Sequence, residues 1–465
     1  MLTDPAARPL KRTVALALTL ALPFATIPLP IPAQMIPLTS VLALLVVLPL
    51  VVFSRPAAST PLSRMVTAWV AFMVGWTFFL LVLDFATVQE SGIRFGNAVR
   101  QILSLLAGWS VYVVFRRTLG TLEETELQRW MVWAALPAVG LGALHVMWGV
   151  ASVPGAGAIV QAVRGLLVPD GYTDASRVAG LSFEPSHFAY YLTMGVFPFL
   201  LLRYSTAPTP ALKAALALTL VVFLGTFSGF GYALLLGVGF TLLSVRGTFN
   251  GLRIAGYALG VLAAGLLLAI VFPENYILLQ VRYNLLVFLG QAAVDGSIGD
   301  GEGFSATLLD AWFSTLGPFL RWGDSPQALF GVGLGGTALY LDALIPPEGV
   351  AVISMLRYEQ YPSLGTLTGR IAAETGFIGM LLYLGVVVTY TRQARALVRF
   401  GKEMNRSTFI PLGHISLAVG FGILFSYSVK IGTFASPYGW LWMALLDVWW
   451  IRTQPGFKRQ SGLNG

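Results

Sequence analysis

The chain is 465 residues long, 56% hydrophobic and only 11% charged, with a mean hydropathy of +0.76. That balance excludes an ordinary soluble domain and describes an all-α polytopic membrane protein. Cysteine is absent, which rules out disulfides, thiolate zinc sites and cysteine nucleophiles, and the net charge of +8 takes its meaning from where the cations fall.

Apolar stretches near the ~20 residues that cross ~30 Å of hydrocarbon run over 13–31, 36–53, 66–84, 98–115, 130–150, 187–203, 212–228, 230–245, 254–272, 371–390, 408–428 and 437–451. They predict about twelve transmembrane helices in one integral membrane domain spanning 1–465. The first stretch follows Arg8, Lys11 and Arg12, and no small-residue cleavage site leads from it into a polar mature domain. It is expected to remain as an uncleaved first helix.

With a cytoplasmic N-terminus, the inner segments collect Arg55, Arg64, Arg116, Arg117, Arg129, Arg203, Lys213, Arg246, Arg253, Arg392, Arg395, Arg399, Lys402, Arg406, Arg452, Lys458 and Arg459 besides the first three cations. This positive-inside pattern puts both termini in the cytoplasm and makes the basic charge a topology signal, with no nucleic-acid partner implied. The outer side keeps Arg94, Arg100, Arg164, Arg177, Arg282, Arg321, Arg357, Arg370 and Lys430. Arginine dominates there, and its planar guanidinium holds phosphate bidentately where an ammonium acts as a point charge. Pairing with outer acids such as Asp170, Asp174, Glu359 and Glu374 is the competing use of the same residues.

Two outer segments, 151–186 and 273–370, far exceed the usual connection of roughly 4–6 residues. They read as enlarged periplasmic loops containing short interfacial helices. Within the second, 305–320 mixes apolar and polar residues at helical spacing, and Trp312 and Phe313 suit the headgroup layer. A second short helix is expected from Thr337 to the stop at Pro346-Pro347. Gly331-Val-Gly-Leu-Gly-Gly has no preceding strand and no following Gly-Lys-Ser/Thr, so it predicts a tight turn with close backbone approach rather than a nucleotide loop. Asp295 to Gly303 is acidic and glycine-rich but lacks the alternating ligands of a calcium loop, and reads as a mobile loop.

The concentrated chemistry lies in Arg177-Val-Ala-Gly-Leu-Ser-Phe-Glu184-Pro185-Ser186-His187-Phe-Ala-Tyr-Tyr-Leu, at the outer mouth of a membrane helix. Pro185 suits the first helical position, Glu184 before it is placed to cap the free amides, and His187 falls in the first turn. The positive helix end and Arg177 together form an anion site. The same field favours an ionised Glu184, a weaker base, and a neutral His187 that accepts a proton; strong desolvation of Glu184 reverses that order. A salt-bridged cap without chemistry is the structural alternative. His145, inside the fifth helix, reads as a packing residue, and His414 lies toward the cytoplasm. Arg282 either grips a phosphate or anchors at the interface, and Arg370 with Glu374, four residues apart, reads first as an intrahelical pair. Arg357, Glu359 and Tyr361 sit where loop residues reach an acceptor sugar.

Arg177…Gly180…Glu184-Pro-Ser-His-Phe-Ala, then Phe330-Gly-Val-Gly-Leu-Gly in a long outer loop, then Ala373-Glu374-Thr-Gly-Phe-Ile-Gly opening the next helix, resembles bacterial O-antigen and exopolysaccharide polymerases and their relative, the O-antigen ligase. The resemblance covers residues 160–390. It implies a GT-C-like glycosyltransferase of the bacterial inner membrane with its active site facing the periplasm. Such an enzyme polymerises undecaprenyl-pyrophosphate-linked oligosaccharide repeat units into a surface polysaccharide of the lipopolysaccharide or exopolysaccharide kind. It does so without cofactor or metal, in contact with membrane lipids and with a chain-length regulator as partner. His187, Glu184 and Arg177 are then the catalytic candidates, and Arg164, Arg282, Arg357, Glu359, Tyr361 and Arg370 the pyrophosphate and glycan contacts.

No Asp-X-Asp pair stands near the candidate site and no histidine cluster has ligand spacing, so arginines are expected to stabilise the leaving pyrophosphate. The ligase pattern has a histidine before its Glu-Thr-Gly stretch, and here Tyr361-Pro-Ser-Leu-Gly-Thr-Leu-Thr-Gly-Arg370 has none; Thr226-Phe-Ser-Gly-Phe-Gly likewise lacks an arginine that relatives carry. Both departures favour polymerase over a ligase that moves glycan to a lipid A-core acceptor. A lipid-linked oligosaccharide flippase or other transporter is the alternative from another class; Asp447 in the last helix supports it, while the lack of an internal repeat does not.

Overall fold

The computed structural model describes residues 8–24, 37–53, 58–87, 91–122, 124–167, 177–182, 184–245, 323, 325–339, 366–404, 408–429 and 431–454. These residues are all-helical, without strands. In chain order the helices are α1 Arg8–Ala21, α2 Leu38–Phe53, α3 Pro61–Thr87, α4 Ser91–Thr118, α5 Glu124–Ala151, α6 Pro154–Leu167 and α7 Pro185–Tyr191. A π-turn Leu192–Val196 leads from α7 into α8 Phe197–Thr206, followed by α9 Pro210–Leu224, α10 Gly229–Val245, α11 Pro326–Phe330, α12 Leu367–Glu403, α13 Phe409–Val429 and α14 Pro437–Thr453. Every predicted span overlaps one of these helices except 254–272, which lies outside the described residues. The expected helix at 305–320 and the acidic loop at 295–303 lie outside them too.

The punctuation is local. α3, α6, α7, α9, α11 and α14 all begin on proline, whose missing N–H has no intrahelical acceptor at that position. Thr209 and Thr366 cap α9 and α12 by accepting from the amides of Leu212 and Gly369 at 3.2 and 3.1 Å.

Among the described residues five helices are long and apolar enough to cross a membrane: Pro61–Leu83, Phe95–Thr118, Glu126–Gly149, Leu367–Glu403 and Phe409–Val429. This marks the chain as a membrane protein. Its surface agrees: Phe78 and Phe79 of α3, Trp133 and Leu136 of α5, and Leu381, Leu384 and Val388 of α12 are exposed, as lipid allows and water penalises. On α12 the opposite stripe, Tyr383, Val386, Tyr390, Ala394 and Leu397, is buried against α13 and α3. α14 is buried on nearly every side and packs on α4, α12 and α13, so it forms the centre of the bundle.

Near one end of α14, Asp447 is fully buried and accepts from Thr60 Oγ1, from Tyr112 Oη at 2.8 Å and from Arg116 Nε at 2.5 Å. Arg116 also donates to the Ala58 carbonyl. The acid that sequence alone offers to a transport pathway is thus a structural tie between α3, α4 and α14.

The segment 151–186, read as an enlarged loop with short helices, contains one helix among its described residues before Pro185, α6, folded back on α5. Buried Ala156 and Gly157 let it lie close; a Cβ on Gly157 would meet the Trp148 ring at 2.6 Å. The short helix expected from Thr337 begins as a 3₁₀ turn, Gly336–Leu339, and the rest of it lies outside the described residues.

Candidate functional site

The Arg177 to His187 run is held from three directions. Arg164 of α6 is completely buried, and its Nη1 donates to the carbonyls of Gly180 and Ser182, the latter at 3.0 Å. Burial lowers its pKa to about 10, which still leaves it cationic at neutral pH. On the other side, the Val178 amide donates to the Gly225 carbonyl at 2.8 Å and Arg177 Nε to the Thr226 carbonyl at 3.4 Å, fastening the run to the turn between α9 and α10. From below, the Phe188 ring packs under Gly180, whose φ of +50° and whose 2.4 Å clearance for a Cβ both require glycine.

These contacts present Glu184 and His187 at the opening of α7. Glu184 occupies the position before Pro185 with extended backbone, φ −135° and ψ 162°, yet its side chain makes no capping bond. The expectation of an amide cap is therefore corrected: the carboxylate accepts from Ser186 Oγ instead, and its Oε1 lies 3.7 Å from His187 Nδ1. That separation is too long for a hydrogen bond and short enough for a strong charge interaction when the imidazole is protonated. The two side chains are 31% and 24% exposed, whereas Phe188, Ala189, Tyr190 and Tyr191 just below are buried. The pair is rigidly based and accessible at its tip.

Arg164 and Arg370, expected to bind phosphate or glycan, have other work. Arg164 spends Nη1 on backbone carbonyls inside the fold. Arg370 is 2% exposed; it pairs with the fully buried Glu374 at 3.4 Å, donates to Gln101 and to the Gly432 carbonyl, and lies 5.3 Å from the Phe434 ring centroid. The i,i+4 pair is present as expected, and full burial removes Arg370 from direct contact with a substrate in this conformation. Arg282, Arg357, Glu359 and Tyr361 lie outside the described residues. His145 is fully buried, its ring 5.3 Å from that of Trp148, consistent with a packing role.

The glycine loop after α11 completes this second centre. α12 is broken at Gly376, with φ 61° and ψ −160°, so the carbonyls of Ala373 and Glu374 lose their helical partners. The amides of Val332 and Gly333 replace them at 3.1 and 2.8 Å. Thr337 Oγ1 donates to Glu374 at 3.2 Å, and Thr77 of α3 accepts from the Leu334 amide at 2.9 Å. Gly331-Val-Gly-Leu-Gly-Gly is the close-approach turn the sequence predicts, and a discontinuous helix is how an irregular backbone survives inside a membrane protein.

The connection between α13 and α14 touches both centres. Ser436 Oγ donates to Tyr190 Oη at 3.5 Å, one turn below His187, while Gly432 in the same connection takes the Arg370 guanidinium. Sequence reasoning missed Gln101 and the Thr226 turn. The first had a signal, since Asn97, Gln101 and Ser104 recur at i, i+4 and i+7 on one face of α4. The second is a meeting of segments 49 residues apart. Among the described residues no group of three or more His, Asp or Glu side chains is arranged to hold a metal ion. Compared with protein-family models and with curated proteins, the chain matches none of them.

Proposed function

We propose that this chain is a lipid-linked oligosaccharide polymerase of a bacterial inner membrane, a GT-C-like protein of about twelve spanning helices that works on the periplasmic side. The reading rests on the Glu184–His187 pair. A carboxylate and an imidazole 3.7 Å apart, both partly exposed, sit on a buried base at the end of the run that Arg177 opens, where Arg177 Nε donates to the Thr226 carbonyl. In the proposed reaction the acceptor sugar hydroxyl attacks the anomeric carbon of the donor. The new C–O bond forms as the bond to the pyrophosphate oxygen breaks, and undecaprenyl pyrophosphate departs as an anion. His187 takes the hydroxyl proton and Glu184 stabilises the resulting imidazolium. Arg177 faces the growing charge on the leaving group, the role a metal plays elsewhere. Arg164 acts through position, by holding the carbonyls of Gly180 and Ser182.

The test uses the purified chain with undecaprenyl-pyrophosphate-linked repeat units, read as glycan length. His187→Ala is expected to slow elongation by about 10²–10⁴-fold with folding retained. Arg177→Ala is expected to lose activity comparably, and more than Arg177→Lys. Unchanged elongation in both alanine variants would sink the assignment. Transfer only to a lipid A-core acceptor would make the chain a ligase instead, and translocation without chain growth a flippase.

A further inference from the structure

Away from the outer site, α12 and α13 leave a cavity of about 840 Å³ between themselves, α10, α3 and α14. Its walls are aromatic and aliphatic along most of its length. At one end Arg395, Arg399 and Lys402 line it, spaced i, i+4 and i+7 on a single face of α12. No aspartate or glutamate lines the cavity, and none of the three cations has a carboxylate partner among the described residues. Arg392, one turn away and exposed, is not part of the lining. A cation-rich end on a long apolar slot is complementary to an amphiphile with an anionic head and a hydrocarbon tail.

We propose that the cavity seats an anionic glycerophospholipid, its phosphate at Arg395, Arg399 and Lys402 and one acyl chain running toward Tyr383. The distance along α12 from Lys402 to Tyr383 is about 28 Å at 1.5 Å per residue, enough for a headgroup and one chain. The far end sets the limit of the tail. Trp69 Nε1 is buried there without a hydrogen-bond partner among the described residues, beside the polar Tyr383 and Tyr427 hydroxyls, and methylene groups pressed on this end would leave it unsatisfied. The chain therefore ends below them, leaving space for water. This site is independent of the outer Glu184–His187 pair. On the expected topology its cations face the cytoplasmic leaflet, where acidic headgroups would approach them laterally through the bilayer.

The experiment is native mass spectrometry of the detergent-purified full chain titrated with phosphatidylglycerol, phosphatidylcholine or inorganic phosphate. Phosphatidylglycerol is expected to bind more tightly than phosphatidylcholine by on the order of a hundredfold, given three basic side chains at the headgroup. Two changes are expected to erase the preference: the triple variant Arg395→Gln, Arg399→Gln, Lys402→Gln, and Leu417→Trp, which fills the slot but keeps the cations. Arg392→Gln is expected to leave it intact. Equal retention of the two lipids by the unaltered chain, a preference that survives the triple variant, or inorganic phosphate binding as well as the lipid would each overturn the proposal.

Discussion

Asp447→Ala is expected to lower stability by about 3–5 kcal/mol, because it takes the carboxylate from the mostly buried Arg116, 12% exposed, and leaves its guanidinium only the Ala58 carbonyl among its described partners. The carboxylate receives Thr60, Tyr112 and Arg116, and so joins the start of α3, the end of α4 and the central α14. Losing it removes the acceptor for all three donors at once, and membrane surroundings offer no bulk water in compensation. The measurement is the midpoint of denaturant unfolding in mixed micelles. Asp447→Asn, which keeps shape and part of the hydrogen bonding, is expected to cost less. The double change Asp447→Leu with Arg116→Met is expected to recover part of the loss, since it removes the unpaired charge but leaves the Thr60 and Tyr112 hydroxyls without this acceptor. A loss under about 1 kcal/mol for Asp447→Ala would mean that the pair behaves as an exposed one. The same saturation of its oxygens makes Asp447 a poor transport acid and weakens the flippase alternative.

Gly331→Ala is expected to unseat the glycine loop from α12. At φ 75° and ψ −178° the backbone occupies a region open essentially to glycine, at a strain of about 1–3 kcal/mol for any other residue. An added Cβ would also stand 2.3 Å from the Thr375 nitrogen and 2.4 Å from the Glu374 carbonyl carbon, and both are backbone atoms that cannot swing aside. Relief requires the loop to move out. The carbonyls of Ala373 and Glu374 then give up the amides of Val332 and Gly333 beside the break at Gly376. The expected readout is faster hydrogen exchange at Val332 and Gly333 together with a lower unfolding midpoint. Gly75→Ala is the control, since nothing lies within 4 Å of its Cβ position. Unchanged exchange at Val332 and Gly333 would show that the loop tolerates the side chain and that the junction is looser than its geometry.

Much of the fold was legible because spanning helices announce themselves one at a time, through runs of apolar residues bounded by proline, threonine or basic clusters. Pro61, Pro210 and Pro437 mark their helices without help from any neighbour. α6 was expected only as an unplaced short helix of its segment, because its 14 residues are fewer than a span and the segment was defined only by its length between spans. The Arg370–Glu374 pair was legible from i,i+4 spacing, but its sealing was not, since burial depends on Gln101, Gly432 and Phe434 arriving from elsewhere.

By itself, the sequence determined the membrane character, the positions of most helices, the turn at Gly331 and the run of charged residues from Arg177 to His187. Each follows from local composition or from periodicity along one segment. Only the tertiary structure decided which charges are tied up inside and which stay accessible. Arg164, Arg370 and Asp447 differ from Glu184 and His187 in nothing a hydropathy reading detects. They differ in the carbonyls, amides and hydroxyls brought to them from distant segments, because the pairing of a buried charge is a property of the surroundings that folding assembles.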